Sequence, residues 1–266
     1  MIVLIGYFFK NVTPANNVFK EKISEEAMFK RGLAYLTAAY IALCSPTALA
    51  QDPPKTVHFP SGLELKVVTD FQLTGSDEVC SQYIELRRKN GIKLPKECEY
   101  YDPNQSGNPL LEVNKDILNQ QLSQHIKIRD FAKIGKEEQL RYARRGDYWK
   151  NKGEYFYKYI RVDAELLDRL EQLHEQTNVA LPIIDGFRSF GYNTRMYWAL
   201  GKVPTSSHHS SGNAVDIRVN PRKVGTVVNQ LFENDGLGVG RTFIHVDTRG
   251  KKARWYYSFG KKKKNK

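Results

Sequence analysis

Cysteine is scarce in this chain, with three in 266 residues. Cys80 and Cys98 have no close cysteine or histidine companion, which argues against a thiolate metal centre. Cys44 follows Leu43 where lipid attachment calls for a small residue, so it is a poor lipid anchor. Long apolar runs are also missing. Met1 to Phe9 and Leu33 to Leu43 both fall short of the ~20 residues that span a bilayer. No internal repeat is present, which excludes a solenoid or a propeller. Acidic residues are outnumbered, 29 against 41 Lys and Arg, for a formal charge of +12. Such a balance suits anionic partners: nucleic acid, anionic lipid or an acidic cell-wall polymer.

What is present begins with an export signal. Met28-Phe29-Lys30-Arg31 is a basic start, Leu33 to Leu43 an uncharged apolar centre, and Ala48-Leu49-Ala50 a small-x-small cleavage site. The mature chain is expected to start at Gln51. An uncleaved N-terminal anchor is the competing reading. Translation is expected to start at Met28, with residues 1–27 wrongly joined to the gene. Removing residues 1–50 takes five Lys/Arg and three Asp/Glu from +12 and leaves +10. In an exported protein the two remaining cysteines favour a disulfide.

Residues 51–154 are the less readable half. Val57-His58-Phe59 and Leu63 to Val68 fit short strands, and Asp77 to Asn90 fits a helix ending at Gly91. Lys127 to Lys152 is dense in charge, with aromatics interleaved, and reads first as a solvated helix face. From Tyr155 the pattern sharpens. Asp163 can cap a helix with Leu166, Leu167, Leu170 and Leu173 on one face. Val179 to Ile184 and Ala214 to Val219 read as strands, and Tyr192 to Leu200 as a helix. Asn220-Pro221 opens another helix, with Val224, Val227, Val228, Leu231 and Phe232 on its apolar face. Gly238 to Gly240 and Phe243 to Asp247 read as a hairpin. This segregated order of strands and helices indicates an α+β fold. Lys261 to Lys266 forms a basic tail.

His209, Asp216 and His245 carry the chemistry. Gly212 permits a tight turn between a loop holding His209 and a strand holding Asp216, and His245 on a neighbouring strand can close the group. Two imidazoles and a carboxylate suit a catalytic zinc ion, which takes three protein ligands and leaves a fourth position for water. Zinc lowers the pKa of bound water towards ~7 and polarises a scissile carbonyl. Hydrolysis also needs a general base. Asp247 points to the same strand face as His245 and is the first candidate. Orientation of a ligand is an equal reading for it. His208 is another candidate base, although an exposed loop histidine is the simpler account. Ser207 fits a hydrogen bond near the ligand loop better than a nucleophile. Trp255 and Tyr256 can line the cleft, with core packing favoured.

Ser-x-His-x-x-Gly-x-Ala-x-Asp-Ile (Ser207 to Ile217), Gly-Phe-Arg-Ser (Gly186 to Ser189) and Phe-Ile-His-Val-Asp (Phe243 to Asp247) together form a specific pattern. It resembles peptidase family M15, the zinc D-Ala-D-Ala peptidases that share a fold with the hedgehog signalling domain. The resemblance covers about residues 155–259 and is nearest to M15A-type domains, which end in His-Val-Asp and then Arg-Trp, here Arg254-Trp255. It implies His209, Asp216 and His245 as zinc ligands and Arg188 in the substrate-binding arginine position. It also implies a small antiparallel sheet flanked by helices. Asn193 is a candidate substrate contact, or a residue that fixes the start of its helix. One departure stands out: many relatives carry Glu, Asp or His two or three positions before the last ligand, where this chain has Phe243 and Thr242.

The expectation is therefore an exported, periplasmic or secreted, zinc D,D-carboxypeptidase or D,D-endopeptidase acting on peptidoglycan stem peptides. Arg188 would bind substrate charge with Ser207 and Asn193 nearby, and Asp247 would move the proton. The Phe243 and Thr242 positions motivate a rival, a cell-wall binding module with zinc and no turnover. Nucleic-acid binding through the basic stretches is the third reading, and export argues against it.

Overall fold

In the computed structural model, residues 55–69, 71–85 and 93–257 are described. The expected leader, its cleavage site, the end of the helix expected to run to Asn90 and the basic tail lie outside the described residues.

A five-stranded sheet organises the second half. Helix α1 (Ala164–Thr177) starts where the Asp163 carboxylate accepts the Leu166 N–H at 2.7 Å, and it ends at Asn178 in a left-handed conformation. Leu166, Leu167, Leu170 and Leu173 are its buried face, as their spacing requires. Strand β1 (Ile183–Asp185) is shorter than the apolar run from Val179 predicts. Pro182 precedes it and has no N–H to give to a ladder. Helix α2 (Phe190–Ala199) is capped by Ser189, whose hydroxyl accepts the Tyr192 N–H at 3.1 Å. Strand β2 (Ala214–Ile217) follows the His209 loop. Helix α3 (Pro221–Leu231) has Asn220 as its cap and proline at its first position. Strands β3 (Gly236–Val239) and β4 (Ile244–Asp247) form the expected hairpin.

Strand β5 (Ala253–Tyr256) completes the sheet, whose order is β5-β3-β4-β2-β1. Neighbours are antiparallel except β3 and β5, which run parallel at the edge. The fold is α+β. Val215, Ile217, Leu237, Ile244 and Val246 are buried with Leu166, Leu170, Val224, Val228 and Phe232. The alternate residues, Asp216, His245 and Asp247, take the other face of the sheet.

Short elements of the first half join the same core. Thr56–His58 pairs with Glu64–Lys66, and Leu111–Glu112 with Tyr159–Ile160. The charged stretch after Lys127 is not one solvated helix face. It forms a short helix (Ile128–Ala132), a strand (Lys133–Gly135), a tight turn and a second strand (Tyr148–Asn151). The strand Glu154–Tyr157 lies between those two strands. Ile128, Phe131 and Ala132 are buried, so apolar anchoring overrides the charge pattern there. Phe187 packs edge-on to Tyr157 at 5.4 Å and parallel to Tyr100 at 6.3 Å, which ties the two halves together. Cys80 and Cys98 form the expected disulfide. Among the described residues no helix is long and apolar enough to cross a membrane.

Candidate metal centre

Strand register brings one residue from each of the five strands into a row. Asp185 pairs with Asp216, Asp216 with His245, His245 with Gly238, and Gly238 with Trp255. His209 reaches this row from its loop. Gly212 makes that loop feasible. Its φ is +76°, and a Cβ there would meet the Arg161 backbone at 2.4 Å. Among the described residues His209, Asp216 and His245 are the one group of at least three His, Cys, Asp or Glu residues placed to hold a metal ion. Their ligand atoms all lie within 4.8 Å of one another. The His209 Nε2 is 3.8 Å from the Asp216 Oδ1, which is 2.8 Å from the His245 Nδ1. A tetrahedral zinc ion with bonds of about 2.0–2.1 Å sets neighbouring ligand atoms roughly 3.4 Å apart, between those two spacings. The donor set fits such an ion.

Each imidazole is oriented from behind. The His209 Nδ1 lies 2.7 Å from the Gly186 carbonyl oxygen, which calls for a proton on Nδ1 and leaves Nε2 free to ligate. Burial, with Arg188 nearby, lowers its pKa and favours the neutral ring that ligation needs. The His245 Nε2 lies 3.0 Å from the Asp247 carboxylate and its Nδ1 faces Asp216. Asp247 is fully buried and takes two 2.6 Å bonds from Arg249. Burial would raise its pKa, but the Arg249 and His245 bonds hold it well below the usual carboxylate range. Asp247 thus stands behind His245, on the side away from Asp216. Of its two sequence readings, this position fits the orienting one. Arg249 also lies over the Trp255 ring at 5.2 Å. Sequence reasoning missed Arg249, although its spacing of two from Asp247 was visible.

Glycines make room on this face. A Cβ on Gly236 would sit 2.1 Å from the Asp247 Oδ2, and one on Gly238 would sit 2.4 Å from the Trp255 Nε1. Trp255 is therefore not packed in the core. It lies over β3 with its ring 5.2 Å from that of His245. Tyr256 points elsewhere and is 84% exposed.

Arg188 is half-buried beside the centre and paired with Asp185, and its Nη1 donates to the Asn193 Oδ1 at 3.2 Å. Burial works against its charge, but Asp185 and then Asp216 more than offset that, and its pKa is raised. Asn193 donates to the Thr205 carbonyl at 3.1 Å. Both ends of that amide are engaged in holding the arginine and the loop. His208 is half-buried against Asn213 rather than an exposed loop residue, and burial lowers its pKa. Ser207 is half-buried, and its carbonyl accepts from Asn104 at 3.1 Å.

That last contact belongs to a brace from the first half. Ser211 donates to Asp102 at 2.5 Å, and Asn104 donates to Ser211 at 2.7 Å. Asn108 and Ser106 donate to the Ser211 carbonyl. A second brace is buried Glu99, which accepts two bonds from Arg195 and one from Ser189. Residues 99–108 thus clamp both the His209 loop and the start of α2, which Arg188 precedes.

The peptidase M15 family model described as peptidoglycan L,D-endopeptidase MepK matches residues 130–255. The match supports the assignment of residues 130–255 to peptidase family M15. The match reaches upstream of the resemblance at residue 155 to take in Asp130 and the three-stranded sheet, and it includes His209, Asp216 and His245. No curated protein and no solved structure gives a match. The similarity supports a cell-wall peptidase.

Proposed function

We propose that this chain is an exported zinc endopeptidase that hydrolyses peptide bonds within peptidoglycan cross-links. The His209–Asp216–His245 group, with its ligand atoms drawn together and its rings held from behind, carries the reading. Zinc bound there would supply a Lewis acid and activate water near neutral pH. Arg188 aligns the substrate with its remaining donor capacity. Asp247 fixes the His245 tautomer, a positioning task rather than a proton transfer. Trp255 and the glycines of β3 shape the floor beside the centre. The family description favours an L,D bond. An endopeptidase also suits Arg188, because Asp185 already balances the charge that a terminal carboxylate of a D,D-carboxypeptidase substrate would need.

The test is digestion of muropeptide dimers joined by an L,D bond, dimers joined by a D,D bond, and monomers ending in D-Ala-D-Ala, read by mass spectrometry. Each is run with zinc, with chelator and with His209→Ala. Zinc-dependent conversion of L,D dimers to monomers is expected. Cleavage of D,D dimers alone would move the specificity to D,D, and release of terminal D-Ala would make this a carboxypeptidase. No product from zinc-loaded protein would favour the binding module that Phe243 and Thr242 motivate.

A further inference from the structure

Three arginines converge on a groove that the proposed reaction does not use. It encloses about 530 Å³ and is lined by Arg218, Val219, Asn220, Arg222, Arg241 and Thr242. These residues come from the end of β2, the first turn of α3 and the turn between β3 and β4. A hydrogen bond from the Val219 N–H to the Thr242 carbonyl, 3.1 Å, joins two of those segments. All three guanidinium groups are exposed, and none has an acidic partner among the described residues. No carboxylate lines the groove.

The placement runs against ordinary helix electrostatics. A helix N-terminus favours negative charge, yet the first turn of α3 has no acidic residue and carries Arg222 and Lys223. Three guanidinium groups around one groove repel one another unless an anion sits between them. A neighbouring groove shares Arg218 but is also lined by Glu137, Glu138 and Glu154, so the uncompensated charge belongs to the arginine groove. Arg218 is two residues beyond Asp216, and Thr242 is three before His245. At about 3.3 Å per residue the groove begins within roughly 10 Å of the metal centre, the reach of a short extended peptide.

We propose that this groove is a subsite for a carboxylate of the peptidoglycan stem peptide, held by Arg218, Arg222 and Arg241 while the scissile bond lies at the metal centre. The proposal rests on the function proposed above. Stem peptides carry free carboxylates, and a guanidinium binds a carboxylate through two parallel hydrogen bonds.

The full chain and its Arg218→Gln/Arg222→Gln/Arg241→Gln variant are compared on native cross-linked dimers and on dimers with amidated carboxylates. Thermal unfolding checks that the variant folds. On native dimers KM is expected to rise by about tenfold or more with kcat little changed, the mark of lost ground-state binding. On amidated dimers the two proteins should match. An unchanged KM on native dimers, or an equal loss on amidated ones, would overturn the proposal. A second arm does not need turnover: sedimentation of the His209→Ala chain with isolated sacculi, with and without the three arginine changes. Arginine-dependent, salt-sensitive binding supports the subsite even if no bond is cleaved. Arginine-independent binding, no binding, or arginine-dependent binding to phosphatidylglycerol vesicles alone counts against it.

Discussion

Asp247 shows what spacing alone leaves open at a single side chain. Two residues from His245, it shares that strand's face and reads equally as a base or as a residue that orients a ligand. Its carboxylate lies between the His245 ring and Arg249, fully buried, which favours the second reading. A residue that holds a ligand's tautomer acts on metal affinity first. Asp247→Asn is therefore expected to weaken zinc binding by about 10–100-fold, measured by competition with a chromophoric chelator. Arg249→Met should move affinity the same way by less, because it frees the carboxylate without removing it. Arg249→Lys should restore only part, since lysine keeps the charge but not the two-pronged geometry. Unchanged zinc affinity in Asp247→Asn, with kcat lost, would return Asp247 to the role of base.

Loops held by another segment are the elements that sequence periodicity cannot reveal. The His209 loop hangs on the turn Asp102–Asn108, and the bonds between them are polar, local in space and about a hundred residues apart in sequence. Removing two of the donors, Asn104→Ala with Ser211→Ala, leaves Asp102 and the Ser207 carbonyl short of partners. A loss of about 1–3 kcal/mol is expected by thermal unfolding, with weaker zinc binding alongside. Helix α1 carries a comparable clamp. Burial of Glu171 opposes its charge, but bonds from the Ser123 hydroxyl, the His125 N–H and the His125 ring prevail, and its pKa is lowered. A depressed carboxyl stabilises the fold above its unfolded pKa, ~4.3, and loses that contribution as pH falls through the folded value. Glu171→Gln should thus lower the melting temperature at neutral pH, and the gap from the parent should close on acidification. The caps Asp163 and Asn220, the Leu face of α1 and the β3–β4 hairpin were legible because each rests on neighbours in sequence. So was the shared face of Asp216 and His245, since strand alternation fixes which residues point the same way, whereas His209 joins them from a loop. The fate of Lys127 to Lys152 was not legible, because buried Phe131 decides it through contacts far along the chain.

The two halves of the molecule were separated at residue 154 by how readable they are, yet they fold around one core, with Tyr100, Leu110 and Phe131 buried alongside Phe187, Val215 and Leu166. Their union helps place the candidate metal centre, for Glu99 and Asp102 reach across to α2 and to the His209 loop. The disulfide sits next to this joint: Cys98 precedes Glu99, and both cysteines pack with Tyr101 and Phe190 at the start of α2. Cross-linking residues 18 apart removes freedom from the unfolded chain, an effect of about 3 kcal/mol for a loop of this length. Cys80→Ser/Cys98→Ser is therefore expected to lose about 2–4 kcal/mol in denaturant unfolding, and reduction of the parent should reproduce that loss. The same variant should bind zinc more weakly if the Glu99 brace depends on the bond. Arg195→Met, which leaves the disulfide intact and removes two of the bonds to Glu99, separates the causes. Weaker zinc binding in both variants would make the disulfide a support of the site, whereas weaker binding in Arg195→Met alone would confine the disulfide to stability.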